Sequence, residues 1–114
     1  TNSLILVADW GGEIVGTLNF AGRSGDRTRH SGEFGIVVRR DFPRRGVGRR
    51  LIDELTGWAK LAGISKINLR VREDNQGAME LYLAAGFLLE GRISREYRFE
   101  DRYYDACLMG LKID

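Results

Sequence analysis

Apolar residues in the middle of the chain recur at helical spacing. Val47, Leu51, Ile52, Leu55, Trp58, Ala59 and Ala62 share one face of a helix over Val47 to Ala62, and Gly63 supplies its C-terminal stop. Lys66 to Arg72 switches to a period of two, with Ile67, Leu69 and Val71 on one side, which predicts a half-buried strand. Leu4 to Ala8 and Glu13 to Phe20 are short β-type runs separated by D-W-G-G, a hairpin signal. Ala21 to His30 reads as a polar, mobile loop, and Gly32 to Val38 returns to strand character with Gly35 as a bulge. Asp74 or Asn75 caps a shorter helix carrying Ala78, Leu81, Tyr82 and Ala85 and ended by Gly86. Phe87 to Tyr97 and Tyr103 to Ile113 are strands around the turn F-E-D-R.

The resulting order is β-β-β-α-β-α-β-β, an α+β (mixed α/β) arrangement. The longer helix joins two strands at βαβ distance, which predicts a right-handed crossover and a parallel pair within a mixed sheet. The 114 residues fit one domain, with no repeat, linker or low-complexity stretch. No apolar run is long enough to span a membrane and no secretory signal opens the chain, so a cytoplasmic setting is expected. Cys107 is the lone cysteine, which rules out an intrachain disulfide and a cysteine-based metal site; no metal is expected. His30, also alone, lies in the polar loop and reads as a surface residue.

Net charge is only +2, yet the basic residues are concentrated. Residues Arg44 to Gly48 read R-R-G-V-G, between the apolar run Phe34 to Val38 and the amphipathic helix. Arg39, Arg40, Arg44, Arg45, Arg49 and Arg50 flank this turn, with Asp41 opposing them. A glycine turn opening a helix presents several backbone N–H groups beside the positive end of the helix dipole, which suits a phosphate or pyrophosphate. Gly46 and Gly48 lack a Cβ and allow close approach. The turn is not a Walker loop, because no Lys-Ser/Thr pair follows, and Leu51 occupies the third glycine of a dinucleotide fingerprint.

Two motifs in order then resemble the GNAT superfamily of acyl-CoA-dependent N-acyltransferases. Its Q/R-x-x-G-x-G/A signature is matched by P-R-R-G-V-G, Pro43 to Gly48, after the strand G-E-F-G-I-V-V. Its second signature is matched by N-Q-G-A-M-E-L-Y-L-A-A-G-F, Asn75 to Phe87. The tail, E-G-R-I-S-R-E-Y then Y-Y-D-A-C-L-M-G-L, is similar to the branch of ribosomal-protein and polyamine acetyltransferases. Pro43 departs from the pattern and removes one backbone N–H from the loop. The family's usual first strand and two helices are also missing ahead of Leu4. An N-terminally truncated domain is therefore expected, with an incomplete acceptor pocket. Its L-I-L-V-A edge would be unpaired and prone to self-association.

The resemblance implies an enzyme that moves an acetyl group from acetyl-CoA directly to a small-molecule primary amine. It implies cofactor contacts at Val37, Val38, Arg44, Arg45, Gly46, Val47, Gly48, Arg49, Asn75 and Tyr82, and pantetheine pairing along the backbone of Leu69 to Val71. The reaction needs two proton transfers. An alkyl amine of pKa about 10.4 must lose a proton before attacking, and a thiolate related to a thiol of pKa about 8.5 leaves better when protonated. Glu33 is the candidate base, with a solvated or salt-bridged strand carboxylate as the other reading. Tyr82 is the candidate acid, with a helix-anchoring core aromatic as the other. Cys107, between Ala106 and Leu108, reads as core filler rather than an acyl carrier. A peptide N-terminus as acceptor and a non-catalytic CoA-binding module remain alternatives. Nucleic-acid binding is disfavoured, because no aromatics interleave the arginine cluster.

Overall fold

The computed structural model describes residues 2–41 and 46–114. Its elements are β1 (Ser3–Trp10), β2 (Glu13–Gly22), β3 (Ser31–Val38), α1 (Val47–Ala62), β4 (Lys66–Arg72), α2 (Gln76–Ala84), β5 (Leu88–Phe99) and β6 (Arg102–Lys112). The strands form a mixed sheet in the order β1-β2-β3-β4-β6-β5. The α+β class and element order match the sequence reading, and α1 and β4 have the expected bounds. Two compact units are distinguished: Thr1–Ile67 with Lys112–Asp114, and Asn68–Leu111.

In the first unit, Gly11 and Gly12 turn the β1–β2 hairpin with φ of 60° and 90°. Positive φ at both central residues belongs to the turn whose twist suits a two-residue hairpin. The Asp9 carboxylate accepts the Gly12 N–H at 2.9 Å and fixes the turn. The β2–β3 register runs unbroken from Gly16↔Val38 to Gly22↔Gly32. One face of this pair, with Leu18, Phe20 and Phe34 buried, lies under α1, which contributes buried Leu51, Ile52, Leu55 and Ala59. Each such large apolar side chain contributes about 1.5–3 kcal/mol when fully buried. Trp58 packs edge-on against Phe20 with ring centroids 5.7 Å apart. Gly16 permits this approach: a Cβ there would lie 3.0 Å from Val47 Cγ1 and 3.3 Å from Leu51 Cδ1. Gly63, with φ of 78°, closes α1 by donating its N–H to the Ala59 carbonyl.

Two expectations need correction here. Gly35 is not a bulge, since it pairs in register with Asn19. A Cβ at Gly35 would stand 3.3 Å from Asn19 Oδ1, so the glycine makes room for a cross-strand side chain. Ala21 and Gly22 continue β2 rather than opening a loop. The residues that follow form turns in which Gly25 O accepts from the Thr28 and Arg29 amides and Thr28 O accepts from that of Ser31.

In the second unit, Leu69 and Val71 of β4 are buried, as the alternation required. Asn75 rather than Asp74 caps α2: its side chain accepts the Ala78 N–H at 3.2 Å, while Asp74 pairs with Arg72. Glu100 and Asp101 turn β5 into β6, both at positive φ. The β5–β6 register shifts between Leu89 and Gly91 and again between Ile93 and Tyr97. Phe87, Ala106, Cys107 and Met109 form this unit's interior.

Candidate functional site

The first helical turn of α1 is the best-defined part of the site. Gly46 is its N-cap, in the left-handed region at φ 71°, and no side chain caps the helix. Nothing lies within 4 Å of where a Cβ on Gly46 would stand, so backbone conformation, not crowding, selects glycine there. The first turn carries no acidic residue. Val47, Gly48 and Arg49 therefore present helix-initiating amides with no side-chain acceptor from the cap, the arrangement that attracts an anion. The candidate contacts Arg44 and Arg45, with Pro43, lie outside the described residues.

The opposition to the basic cluster is broader than Asp41 alone. Arg39 does fork onto Asp41, at 2.9 and 2.7 Å. That pairing pushes the Asp41 carboxyl below its usual pKa, the hydrogen bond from Arg39 being the main cause. One turn into α1, however, Arg49 reaches Asp53 at 3.1 Å and Arg50 reaches Glu54 at 3.5 Å. Both are i,i+4 pairs, visible in the sequence spacing and passed over there. They are solvent-exposed, so an incoming phosphate competes with weak partners. A cavity of about 760 Å³ adjoins this turn, lined by Leu6, Trp10 and Val15 on the strands and by Gly46, Val47 and Arg50 on the helix side. Sequence patterning gave no sign of it, because β1 and α1 meet only through the fold.

Glu33 lies on β3 opposite Ala21. Phe34 takes the α1-covered face, so strand alternation turns Glu33, Gly35 and Val37 to the other one. Across the register this second face carries Thr17, Asn19 and Ala21 of β2, with Ile5 and Val7 of β1 beyond them. It is open in this unit: Ile5, Val7 and Val37 are 75%, 53% and 69% exposed. Val38 belongs to the α1 face, paired with Gly16. Glu33 is thus an exposed strand carboxylate on a broad, uncovered surface.

The remaining candidates sit together on α2. Tyr82 is the helix's buried residue. Its ring meets Phe87 edge-on at 6.1 Å, so the anchoring reading holds whatever else the hydroxyl does. Burial pushes the Tyr82 phenol above its ordinary pKa. It stays protonated at neutral pH, the state a proton donor requires. Asn75 spends its side-chain oxygen on the α2 cap, leaving its NH₂ as the group able to meet a ligand. Cys107 is buried among the strand residues, as core filler would be. Among the described residues no group of three or more His, Cys, Asp or Glu side chains could hold a metal.

The strands of this unit also hold a polar network that sequence reasoning missed. Arg92 bridges Glu73 and Asp105, at 2.6 and 3.1 Å, and Arg70 pairs with Glu96 at 2.7 Å. Its members are far apart in the chain, and no short motif announces them.

The family model of the Acetyltransferase (GNAT) family matches residues 1–87, taking in both the glycine turn and α2. The chain belongs to the GNAT family. It is 27% identical over 111 residues to L-amino acid N-acyltransferase MnaT of Escherichia coli, covering 96% of this chain and 64% of that protein. It is 38% identical over 81 residues to the [Ribosomal protein bS18]-alanine N-acetyltransferase of Salmonella typhimurium, covering 70% of this chain and 54% of that protein. The solved GNAT-family acetyltransferase of Streptococcus pneumoniae matches with a TM-score of 0.92 and 33% identity, over 99% of this chain and 68% of that one. This GNAT chain therefore spans between about half and two-thirds of the length of the curated relatives it matches.

Proposed function

We propose that this GNAT domain transfers an acetyl group from acetyl-CoA directly to the primary amine of a small molecule. The observation that carries the reading is the first turn of α1, left uncapped by any side chain and opened by a left-handed Gly46. It fits the pyrophosphate of CoA, held by the amides of Val47, Gly48 and Arg49; Arg44 and Arg45, the two residues before Gly46 in the sequence, are the further phosphate contacts of this reading. Val37 and Val38 end the strand that leads to this turn, and the Asn75 amide and Tyr82 would meet the rest of the cofactor. The bound thioester supplies an activated acetyl group.

The chain's own residues manage protons. Glu33, on the open face of β3, accepts a proton from the acceptor ammonium, which frees the nitrogen lone pair. A C–N bond then forms at the acetyl carbon as its C–S bond breaks, and the nitrogen gives up its second proton to solvent as the amide forms. The Tyr82 hydroxyl protonates the departing sulfur and recovers its proton from solvent. Transfer is direct, because Cys107 is buried. No metal takes part in this scheme. A peptide N-terminus is the second acceptor class, favoured by the 38% identity to the bS18-alanine acetyltransferase. We place the reaction in the cytosol, and read the 114 residues as belonging to a single acyl-CoA N-acyltransferase domain.

The test is cofactor binding followed by an acceptor screen. Saturating CoA should raise the melting temperature through mass action on the folded state. Gly48→Glu should abolish that rise by placing a carboxylate at the phosphates. Absence of any shift, with no heat by calorimetry, would refute the reading. Amines and N-terminal peptides compared on the full-length gene product then separate the two acceptor classes.

A further inference from the structure

The link from β4 to α2, residues 73–75, is tied to strand β6. The Glu73 N–H donates to the Asp105 carbonyl at 3.0 Å, and the Glu73 carboxylate accepts the Asp105 N–H at 2.6 Å. Both main-chain groups of one β6 residue are therefore engaged by Glu73. Its other oxygen accepts Arg92 Nη2 at 2.6 Å, while Arg92 Nε donates to the Asp105 carboxylate at 3.1 Å. The remaining Asp105 oxygen accepts the Arg95 N–H at 3.0 Å, within the stretch where β5 leaves register and Arg95 has a φ of 53°. A non-glycine residue keeps that angle only where its surroundings impose it. These bonds, led by that from Arg95, hold the Asp105 carboxyl below its usual pKa, so the network stays charged at neutral pH.

The flanking residues are held as well. Arg72 lays its guanidinium 4.4 Å from the Tyr104 ring centroid and 5.5 Å from that of Phe99, and it forks onto Asp74 at 2.7 and 3.2 Å. The Asn75 N–H donates to the Arg72 carbonyl at 2.9 Å. Starting α2 does not require all of this, because the Asn75 side chain already caps the helix through the Ala78 N–H. Partly exposed ion pairs also add little to stability, and the Glu73 and Asp105 side chains are 32% and 29% exposed. What the network fixes is the path of the chain into Asn75. There the cap takes the side-chain oxygen and leaves the NH₂ for a ligand.

We infer that Glu73 is a positioning residue for the cofactor: by clamping the β4–α2 link to Asp105 and Arg92, it sets the Asn75 carboxamide in the orientation that meets CoA. The inference rests on the reading of Asn75 as a cofactor contact proposed above, and extends it to a residue outside both sequence motifs. Glu73 acts through Asn75 and needs no contact of its own with CoA. A donor ordered on folding does not have to be ordered again on binding, which is the gain from a rigid support.

Calorimetric titration of CoA into the full-length gene product tests this without relying on turnover. Glu73→Ala should raise the CoA Kd about tenfold. Asn75→Ser keeps an oxygen that can cap α2 but lacks the NH₂, so it should weaken CoA binding by itself. In that background Glu73→Ala should raise Kd by less than about twofold more, because the group it positions is gone. A merely structural loss would carry over unchanged into the second background. Glu73→Gln keeps an oxygen for the Asp105 N–H and should recover part of the affinity that Glu73→Ala loses. Unchanged binding by Glu73→Ala or by Asn75→Ser, equal losses in the two backgrounds, or no recovery in Glu73→Gln would each overturn the inference. If Glu73→Ala does not fold, Glu73→Gln compared across the same two backgrounds decides by its coupling to Asn75. CoA binding without that coupling would defeat only this inference; no CoA binding by the wild-type protein would defeat the reading beneath it.

Discussion

Gly16→Ala tests whether the seating of α1 on β2 sets the geometry of the phosphate turn. The added Cβ would lie 3.0 Å from Val47 Cγ1, 3.3 Å from Leu51 Cδ1 and 3.3 Å from the Val37 carbonyl. Val47 is β-branched and stiff at χ1, so it relieves little of this by rotating. Overpacking of this kind costs about 1–3 kcal/mol. Replacing a strand glycine returns roughly 0.5–1 kcal/mol through the unfolded chain. The net expectation is a loss of about 0–2.5 kcal/mol, centred near 1 kcal/mol. For a domain near this size, each kcal/mol corresponds to about 4–8 °C in Tm. The displaced atoms belong to the first turn of α1, so CoA affinity should fall with stability. Val47→Ala removes the clashing methyl, and the double variant should recover both quantities beyond what the single losses sum to. Thermal unfolding with and without CoA measures all four proteins. A Gly16→Ala protein as stable as wild type, with an unchanged CoA shift, would show that α1 is not seated by this contact.

Tyr82→Phe keeps the ring that packs on Phe87. It should lower kcat by roughly tenfold to a thousandfold where chemistry limits the rate, with CoA affinity little changed; unchanged kcat would return Tyr82 to a purely structural role. Burial raises the Tyr82 pKa, so the folded state holds this proton more tightly than the unfolded one. Its stabilising contribution is intact below the unfolded value of about 10 and declines as pH rises from there through the folded value, a loss that Tyr82→Phe should lack in alkaline unfolding curves. Asn75→Ala deletes the α2 cap and should cost about 1 kcal/mol by denaturant titration, together with some CoA affinity; lost stability alone would confine Asn75 to capping. Strand β1 ends the sheet order with Ile5 and Val7 exposed, so the 114-residue chain should self-associate in sedimentation runs and Ile5→Lys should suppress it; a monodisperse wild-type monomer would refute this.

The elements most legible in sequence were those whose ends are decided locally. Gly63 stops α1 through its own backbone angle, and β4 needs only the alternation of Ile67, Leu69 and Val71. Gly35 misled because a strand glycine has two readings, a bulge or room for a neighbour. Only the register, which sets it against Asn19, chooses between them. The break in β5 was invisible for a related reason. Arg95 is an ordinary strand residue until Asp105, ten positions on, takes its N–H, and Asp105 is in turn held by Glu73 from 32 positions back.

The same division runs through the candidate site. The glycine turn and the Asn75-to-Phe87 helix are contiguous, so their spacing carries the chemistry before any fold is known. Glu33 could be named from its strand but not weighed: nothing local says that Phe34 takes the covered face and leaves Glu33 on the open one. The Arg70–Glu96 pair could not be named at all, since each is an unremarkable charge until the fold brings them to 2.7 Å. The cofactor recognition proposed above is thus written in short motifs, because backbone amides and a helix end need only neighbours in sequence.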